Sequence, residues 1–207
     1  MINKDTEIYC SFSLNPGNNG CKFFNDVFKK KGINAIYKSF YSNNIEESVR
    51  AVKSLGIKGF AVSMPFKIDI LDYVDEKDDS VITIGSANTI VNNDGWLKAY
   101  NTDYLGVMEY LKTLSVNHIY ILGNGGFSKA IQYACALLQI STTIITRDSW
   151  NVIDTLRDEI LFNATPVDLV STSNKIIDGR PFTDSGKEIA LEQAKVQLKI
   201  YTGIGYE

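Results

Sequence analysis

The sequence lacks an apolar stretch long enough to span a bilayer, and it lacks an excess of positive charge. It carries 21 Lys and Arg residues against 24 Asp and Glu residues, a formal net charge of −3. Nucleic acids and membranes are therefore not predicted partners, whereas an anionic small molecule needs only a local Lys or Arg. The first ten residues, MINKDTEIYC, have no long apolar run and do not resemble a signal peptide, so we expect a soluble cytoplasmic protein.

Cysteine and histidine are also scarce. Cys10, Cys21 and Cys135 are odd in number and their spacing fits no zinc pattern, which predicts free thiols and no metal site. The one histidine, His118, begins the apolar run HIYIL. We interpret it as a strand-end residue rather than a catalyst.

Strand and helix patterns alternate along the chain, which predicts an α/β protein. In the first half we expect strands at 7–13, 33–40 and 59–63, a hairpin from SANTIV through NNDG to WLKAY, and helices ending at Gly32 and Gly56. Asn44 and Glu47 form a capping-box pair at the start of the second of these helices, and IDILDYV predicts a further short helix.

The second half has a different predicted order of elements. TDYLGVMEYLKTL predicts a helix, HIYILG, STTIITR and LFNAT predict strands, and NVIDTLRDEI predicts another helix. The last helix, from GKEIALEQ onward, has apolar residues nearly all round and is expected to be buried between other elements.

A glycine turn follows one of these strands and opens a helix. It comprises Gly123, Asn124, Gly125 and Gly126, and the small Ser128 follows. Glycines let backbone amides approach a pyrophosphate, and a helix N-terminus favours its negative charge. This strand–turn–helix context predicts a dinucleotide site, with an ordinary turn between strand and helix as the alternative.

The residues at the end of the next predicted strand favour NADP over NAD as the cofactor. Thr146 and Arg147 end IITR, and arginine pairs bidentately with a phosphate such as the 2′-phosphate of NADP. Asp148 follows directly, so NAD remains possible, and a solvated Arg147–Asp148 pair is the alternative.

A lysine directly follows the apolar stretch AVSMPF. Reduction of a ketone by a nicotinamide needs a proton donor within hydrogen-bond reach of the oxygen. Lys67 lies at a junction between a strand and a helix, where active-site groups tend to project. A solvated lysine at a helix start is the alternative for an isolated residue, and for Asp103 the alternative is a helix N-cap.

Several segments together resemble the shikimate dehydrogenases. AVSMPFK resembles their N-V-T-x-P-x-K stretch, and SANTIVNNDGWLKAYNTDYLG resembles the block from A-x-N-T to N-T-D-x-x-G. GNGGFSKA is similar to their glycine turn, FNATPVD to their INATPxG segment, and the last helix to their closing helix with its glutamine. The matches occur in the family's order, and SFSLNPGNNG resembles the shikimate dehydrogenase-like subgroup in particular.

The resemblance implies a fold and roles for individual residues. It implies an α/β substrate domain at 1–101 plus 186–207, and a shortened NADP-binding Rossmann-type domain at 102–185. Lys67 and Asp103 would be the catalytic pair. The implied substrate-binding residues are Ser13, Ser63, Asn88 and Gln193, and the implied cofactor-binding residues are Gly123, Asn124, Gly125, Gly126, Thr146 and Arg147.

The chain also departs from the family pattern. Phe12 and Asn15 replace a histidine and a serine, and the Y-x-P element expected after FNATPVD is absent. Either the nucleotide domain is reduced or the printed chain omits a disordered segment, and a reduced domain would bind NADP weakly.

The resemblance implies an NADP-dependent enzyme that interconverts shikimate, or a related cyclitol acid, and its 3-keto form. A binding or regulatory protein without efficient catalysis and a quinate dehydrogenase are the alternatives. We expect a monomer or a homodimer.

Overall fold

The computed structural model describes residues 2–170 and 173–207, and the chain forms two compact units. Unit 1 comprises the chain up to Thr102 together with Ala194–Glu207, and unit 2 is Asp103–Gln193. Each unit contains a sheet with parallel strands, so the predicted α/β class is confirmed. Within the two described ranges, every helix is too short or too polar to serve as a membrane span.

The helices and strands are numbered in chain order. The strands are β1 (Glu7–Ser13), β2 (Ala35–Tyr41), β3 (Gly59–Val62), β4 (Glu76–Lys77), β5 (Thr89–Asn93), β6 (Trp96–Tyr100), β7 (His118–Leu122), β8 (Ser141–Ile145), β9 (Ile160–Asn163) and β10 (Lys175–Asp178). The α-helices are α1 (Asn19–Lys31), α2 (Ile45–Leu55), α3 (Asp79–Ile84), α4 (Asp103–Lys112), α5 (Gly126–Leu137) and α6 (Asp184–Thr202). Two 3-10 segments lie at Asp69–Asp72 and Arg147–Thr155.

Local signals end the first two helices where the sequence predicts. Gly32 and Gly56 have φ angles of 66° and 62°, the left-handed conformation that glycine adopts without steric cost. The Asn44 side chain accepts the Glu47 N–H at 3.2 Å and caps α2. In the predicted hairpin, Asp94 and Gly95 both have positive φ, as a two-residue turn between β5 and β6 requires.

The unit 1 sheet has the order β2-β1-β3-β5-β6-β4. β1 is parallel to β2 and β3, whereas β5 is antiparallel to β3 and β6. The carboxyl ends of β1, β3 and β6 therefore lie at the same edge of the sheet as the amino end of β5. This edge, which we call the carboxyl edge of unit 1, carries several of the residues predicted to be functional.

Two apolar clusters fill unit 1. One contains alternate strand residues together with residues of α2, among them Cys10, Phe12, Val49, Phe60, Val62 and Ile90. The other joins the remaining strand residues to α1 and α6 through Tyr9, Phe24, Phe28, Tyr37, Leu198 and Tyr201. A Cβ at Gly59 would meet the Tyr201 ring at 2.7 Å, so the absence of a side chain there lets α6 pack closely on β3.

The unit 2 sheet has the order β10-β9-β7-β8, and all its strand pairs are parallel. Its core is formed by apolar residues of the strands and of α4, α5 and α6, including Val107, Ile119, Ile121, Ile131, Phe162, Ile177 and Ile189. His118 begins β7, and its ring nitrogens lie 2.7 Å from Ser141 Oγ and 3.2 Å from Thr143 Oγ1. Its interpretation as a strand-end residue is confirmed.

Several element predictions were wrong or incomplete. The helix predicted over 151–160 is instead the 3-10 segment Arg147–Thr155 followed by β9, and none of its residues is buried to hold an α-helix in place. IDILDYV forms only the 3-10 segment Asp69–Asp72, and α3, β4 and β10 were not predicted. The last helix contributes residues to two cores, as expected for a helix between other elements, but it is not fully buried, because Leu191 is 41% exposed. Its apolar positions do not follow one stripe because Ile189 and Leu198 belong to different cores.

The end of β10 is held by an ion pair. Arg180 Nη2 lies 2.6 Å from Asp178 Oδ2, and Arg180 Nε lies 3.0 Å from both carboxylate oxygens. Asn163 Nδ2 donates to the same carboxylate at 3.3 Å. Burial raises the pKa of Asp178, but the hydrogen bonds from Arg180 and Asn163 outweigh burial, so the pKa is lowered overall.

We expect Asp178 to contribute to acid unfolding. A carboxyl group whose pKa is lowered in the folded state stabilises the fold above its unfolded pKa, about 3.9 for Asp. That stabilisation is lost as the pH falls through the lower folded pKa. In Asp178→Asn, the free energy of unfolding measured by urea titration should therefore fall less steeply from about pH 5 downward than in the wild type. The matched control is Asp184→Asn, because the Asp184 side chain is 100% exposed. Equal slopes for Asp178→Asn and the wild type would contradict the prediction.

Candidate functional site

Three of the predicted substrate-binding residues lie on neighbouring strands at the carboxyl edge of unit 1. Ser42 N–H donates to Ser13 O at 3.0 Å, and Ser63 N–H donates to Phe12 O at 3.2 Å. Val62 N–H donates to Asn88 O at 3.0 Å. These backbone bonds extend the pairing of β1 with β2, of β1 with β3 and of β3 with β5 by one residue. They bring Ser13, Ser63 and Asn88 together, although the residues are far apart in sequence.

Lys67 follows the same edge through a turn after β3. Phe66 N–H donates to Ser63 O at 2.9 Å, and the Phe66 side chain is buried in the core. Ala87 N–H donates to Lys67 O at 2.8 Å, which ties the lysine backbone to the segment leading into Asn88. The Lys67 side chain is half-buried, so it is not the fully solvated lysine that the alternative interpretation describes.

Asp103 is the first residue of α4 and of unit 2, and it is only 2% exposed. It directly follows Thr102, whose N–H donates to Asn88 Oδ1 at 2.8 Å. A carboxylate in the first turn of a helix is also favoured by the helix dipole. The catalytic pairing of Lys67 with Asp103 stays a prediction.

Gln193 lies in α6 and is half-buried. Its backbone packs against α4, because a Cβ at Gly106 would lie 3.1 Å from both Gln193 N and Gln193 Cβ. Gln193 is the last residue of unit 2, whereas Ser13, Ser63 and Asn88 belong to unit 1. Its role in substrate binding also stays a prediction.

The glycine turn of unit 2 connects β7 to α5. Gly123 has a φ of 100°, and its N–H donates to Ile145 O at 2.8 Å. The buried Ser128 hydroxyl donates to Gly123 O at 2.7 Å. A Cβ at Gly125 would meet no atom within 4 Å, so protein packing does not require glycine there. Close approach of a ligand to the backbone at the start of α5 is a physical reason for this glycine.

The turn lies at the point where the order of strands in the unit 2 sheet reverses. β8 and β9 pair with opposite sides of β7, so the chain crosses to the other side after β8. Ligands of open α/β sheets bind at such a point, outside the carboxyl ends of the strands. The loop after β9 borders it, because Thr165 Cγ2 lies 2.9 Å from the position of a Cβ at Gly123. Asn163 Oδ1 shapes this loop by accepting from Thr165 N and Oγ1 at 3.0 and 2.7 Å.

Thr146 and Arg147 follow β8 at the same end of the sheet. The Thr146 side chain accepts the Ser149 N–H, and Ser149 Oγ accepts the Thr146 N–H at 3.0 Å, so this threonine already caps a 3-10 turn. Arg147 is exposed and forms no ion pair with Asp148 or any other residue of the described ranges. The guanidinium is therefore available to an anion, and its role toward NADP stays a prediction.

The cysteines are free thiols, as predicted. Burial raises the pKa of Cys10, and it raises the pKa of Cys135 to about 11. Neither thiol is a nucleophile at neutral pH, because the reactive thiolate is not populated.

A buried polar cluster beside Asn88, formed by Thr89, Thr102 and Gln197, was not predicted from the sequence. Gln197 Nε2 donates to Thr89 Oγ1 at 2.8 Å, and Thr89 Oγ1 lies 3.0 Å from Thr102 Oγ1. The available signal was the repeated pair Asn-Thr in SANT and YNTD, at the start of β5 and after β6. Gln197 gave no such signal, because one amide on a helix is usually solvated.

Comparisons with known proteins show which family the chain is similar to. A model of the shikimate dehydrogenase substrate binding domain matches residues 19–90. A shikimate dehydrogenase-like protein of Haemophilus influenzae is 43% identical over 134 residues, 63% of this chain and 49% of the relative. A shikimate dehydrogenase (NADP(+)) of Caldanaerobacter subterraneus subsp. tengcongensis is 36% identical over 142 residues, 66% of this chain and 51% of the relative. These sequence matches thus span about half the length of the curated relatives.

A comparison with solved structures covers nearly the whole chain. The structure of a shikimate 5-dehydrogenase-like protein superposes with a TM-score of 0.83 and 30% identity. The match covers 99% of this chain and 94% of that one. The likeness therefore extends to both units.

Proposed function

Because the chain belongs to the shikimate dehydrogenase family, we propose that it is an NADP-dependent oxidoreductase acting on a hydroxylated cyclitol carboxylate. The reaction interconverts a ring alcohol of shikimate type and its 3-keto form. Unit 1 binds the cyclitol acid and unit 2 binds the dinucleotide.

The observation that carries this proposal is the grouping of polar residues at the carboxyl edge of unit 1. Ser13, Ser63 and Asn88 offer hydroxyl and amide groups on adjacent strands, and the Lys67 backbone is bonded to the segment before Asn88. A hydroxylated acid needs several such groups, because each of its oxygens must recover the hydrogen bonds it loses with water. Gln193 is the fourth group that we assign to the substrate.

Lys67 and Asp103 handle the proton in the proposed reaction. Oxidation of an alcohol to a ketone removes a hydride from carbon and a proton from oxygen, and NADP, when bound, accepts the hydride. The Lys67 amine takes the hydroxyl proton and becomes the ammonium, and in the reverse direction the ammonium returns that proton to the ketone oxygen. The Asp103 carboxylate orients the lysine or the substrate.

The residues of unit 2 fit a dinucleotide. Asn124, Gly125 and Gly126 present backbone N–H groups at the start of α5, and the open space at Gly125 lets a pyrophosphate approach them. Gly123 shapes the turn, because its own N–H is bonded to Ile145 O at 2.8 Å. Thr146 and the exposed Arg147 lie at the end of the next strand, where a 2′-phosphate would be held. The arginine favours NADP, and NAD is the second cofactor to test.

The glycine turn provides a prediction that separates binding from folding. Gly125 has a φ of −86°, which alanine adopts, and its Cβ would meet no atom within 4 Å. We therefore expect Gly125→Ala to change the free energy of unfolding by less than about 1 kcal/mol. NADP affinity measured by calorimetry should fall about tenfold or more, because the methyl group blocks the backbone amides. Unchanged NADP affinity in the folded variant would remove this turn from the cofactor site.

An absorbance assay tests the function. The protein is mixed with NADP or NAD and with shikimate or quinate, and formation of reduced nicotinamide is followed. Turnover with NADP and shikimate supports the proposal, and turnover only with quinate assigns the quinate dehydrogenase alternative. Absence of turnover with every pair contradicts the oxidoreductase assignment.

A binding or regulatory role without efficient catalysis is the second candidate. It is favoured by the missing Y-x-P element, since the unit 2 sheet passes from β10 to α6 through only residues 179–183. Calorimetric binding of shikimate or NADP without turnover would favour this role.

A further inference from the structure

The orientation of the Asn88 amide is fixed by a backbone group. Thr102 N–H lies 2.8 Å from Asn88 Oδ1, and a backbone N–H can only donate. The amide atom that faces Thr102 must therefore be the oxygen. Asn88 is 1% exposed, so this buried side chain cannot exchange its partner for bulk water.

The Thr89 and Thr102 hydroxyls together complete the coordination of that oxygen. Asn88 Oδ1 lies 2.9 Å from Thr89 Oγ1 and 3.1 Å from Thr102 Oγ1, and the two hydroxyls are 3.0 Å apart. Each hydroxyl has one proton to donate. Whether the chain runs from Thr102 through Thr89 to Asn88 or the reverse, Asn88 Oδ1 accepts one hydroxyl proton besides the Thr102 N–H. Both lone pairs of the oxygen are then filled.

Gln197 is hydrogen-bonded to Thr89, the residue at the centre of this cluster. Its Nε2 donates to Thr89 Oγ1 at 2.8 Å, and its side chain is 5% exposed. Its neighbour Leu198 is fully buried in the core, and the close packing of Tyr201 on Gly59 fixes α6 against β3. Because Gln197 Nε2 donates to Thr89 Oγ1, the Thr89 hydroxyl directs its own proton away from Gln197.

We propose that Thr89 and Gln197 are positioning residues that make Asn88 a hydrogen-bond donor only, through Nδ2, toward whatever ligand the site binds. This inference rests on the proposed function, because it concerns the same substrate site. The ligand atom opposite Asn88 is therefore an acceptor oxygen. A carbonyl or a carboxylate fits, and a ring hydroxyl fits if it sends its own proton to a second group.

The polarity of Asn88 is tested by reversing it. Asn88→Asp keeps an oxygen for Thr102 and Thr89 but replaces the donor nitrogen with a second acceptor. We expect shikimate affinity, measured by calorimetry, to fall by about a hundredfold, because two acceptors then face each other. Affinity within threefold of the wild type would overturn the assignment of Asn88 as a donor.

The positioning role is tested at Thr89. Thr89→Val removes the hydroxyl at nearly constant shape, and Thr89→Ser restores it. We expect Thr89→Val to raise the KM for shikimate about tenfold with less than a threefold change in kcat, and Thr89→Ser to lie within threefold of the wild type. The control Thr83→Val removes a hydroxyl that donates to Asp79 O at 2.9 Å on α3, and its KM should not change.

A role of Thr89 in stability alone gives a different pattern. A lower melting temperature of Thr89→Val with an unchanged KM would overturn the proposal and leave the proposed function standing. If Thr89→Val does not fold, Gln197→Leu replaces it, and a KM equal to that of the wild type would likewise overturn the role of Gln197.

A measurement by NMR without any ligand tests the positioning role even if the proposed function is wrong. In ¹⁵N-labelled protein, the side-chain amide resonances of Asn88 should shift in Thr89→Val and in Gln197→Leu but not in Thr83→Val. If neither variant moves those resonances, the positioning role is wrong. If they move while the wild type binds neither shikimate nor quinate, the positioning role holds and the proposed substrate class is wrong.

Discussion

Lys67→Ala should lower turnover by about a hundredfold to ten-thousandfold while the affinity for shikimate changes little. This is the usual contribution of a positioned general acid or base. The lysine is half-buried after the turn from β3, and its backbone is held by Ala87 N–H at 2.8 Å, so truncation of its side chain should not move the surrounding backbone. The measurement is kcat and KM in the absorbance assay, with shikimate affinity from calorimetry.

The matched control is Lys58→Ala. Lys58 directly precedes β3 at the opposite edge of the same sheet, and its ammonium lies 3.6 Å from Asp94 in an exposed pair. Exposed pairs of this kind contribute little, so turnover should stay within about twofold of the wild type. A Lys67→Ala enzyme with unimpaired turnover would exclude Lys67 from the chemistry. Equal losses in both variants would indicate a general effect of lysine removal.

Gly106→Ala should destabilise unit 2 by about 3 kcal/mol or more. The Cβ of the alanine would lie 2.5 Å from Ile189 O, a backbone atom that cannot rotate away. α4 and the first half of α6 would have to separate, and Ile189 would leave the core it shares with Val107. The measurement is the free energy of unfolding from urea titration.

The same substitution should also displace Gln193, whose backbone N lies 3.1 Å from the added Cβ. In the folded fraction of Gly106→Ala, shikimate affinity should therefore fall as well, if Gln193 contacts the substrate. The control is Gly125→Ala, where the added Cβ has no neighbour within 4 Å. A Gly106→Ala protein as stable as the wild type would mean that α6 can shift away from α4 at no cost.

Secondary structure was predicted well where a local interaction decides it. The cap at Asn44, the left-handed glycines Gly32 and Gly56 and the turn at Asp94 and Gly95 each depend on residues within five positions along the chain. The prediction of a helix over 151–160 was wrong and β10 was not predicted, because these segments depend on contacts with residues distant in the chain. No residue of Arg147–Thr155 is itself buried, and β10 is a strand because Lys175–Asp178 pairs with β9.

The candidate site was likewise predicted from the sequence only in part. Its residue types were recognisable in sequence, because the motifs around Ser13, Lys67, Asn88, Asp103 and the glycine turn resemble those of a known family. The cluster behind Asn88 was not recognisable, because Gln197 and Thr89 are 108 positions apart and a lone amide on a helix carries no pattern.

The sequence by itself determined the class of fold, the order of most elements, the family and the list of candidate residues, because these depend on local spacing and on motifs. Only the tertiary structure decided that Ser13, Ser63 and Asn88 share one edge of a sheet and which way the Asn88 amide points. Strand pairing and buried hydrogen bonds join residues distant in the chain, and their geometry depends on how the backbone packs rather than on the residues nearby.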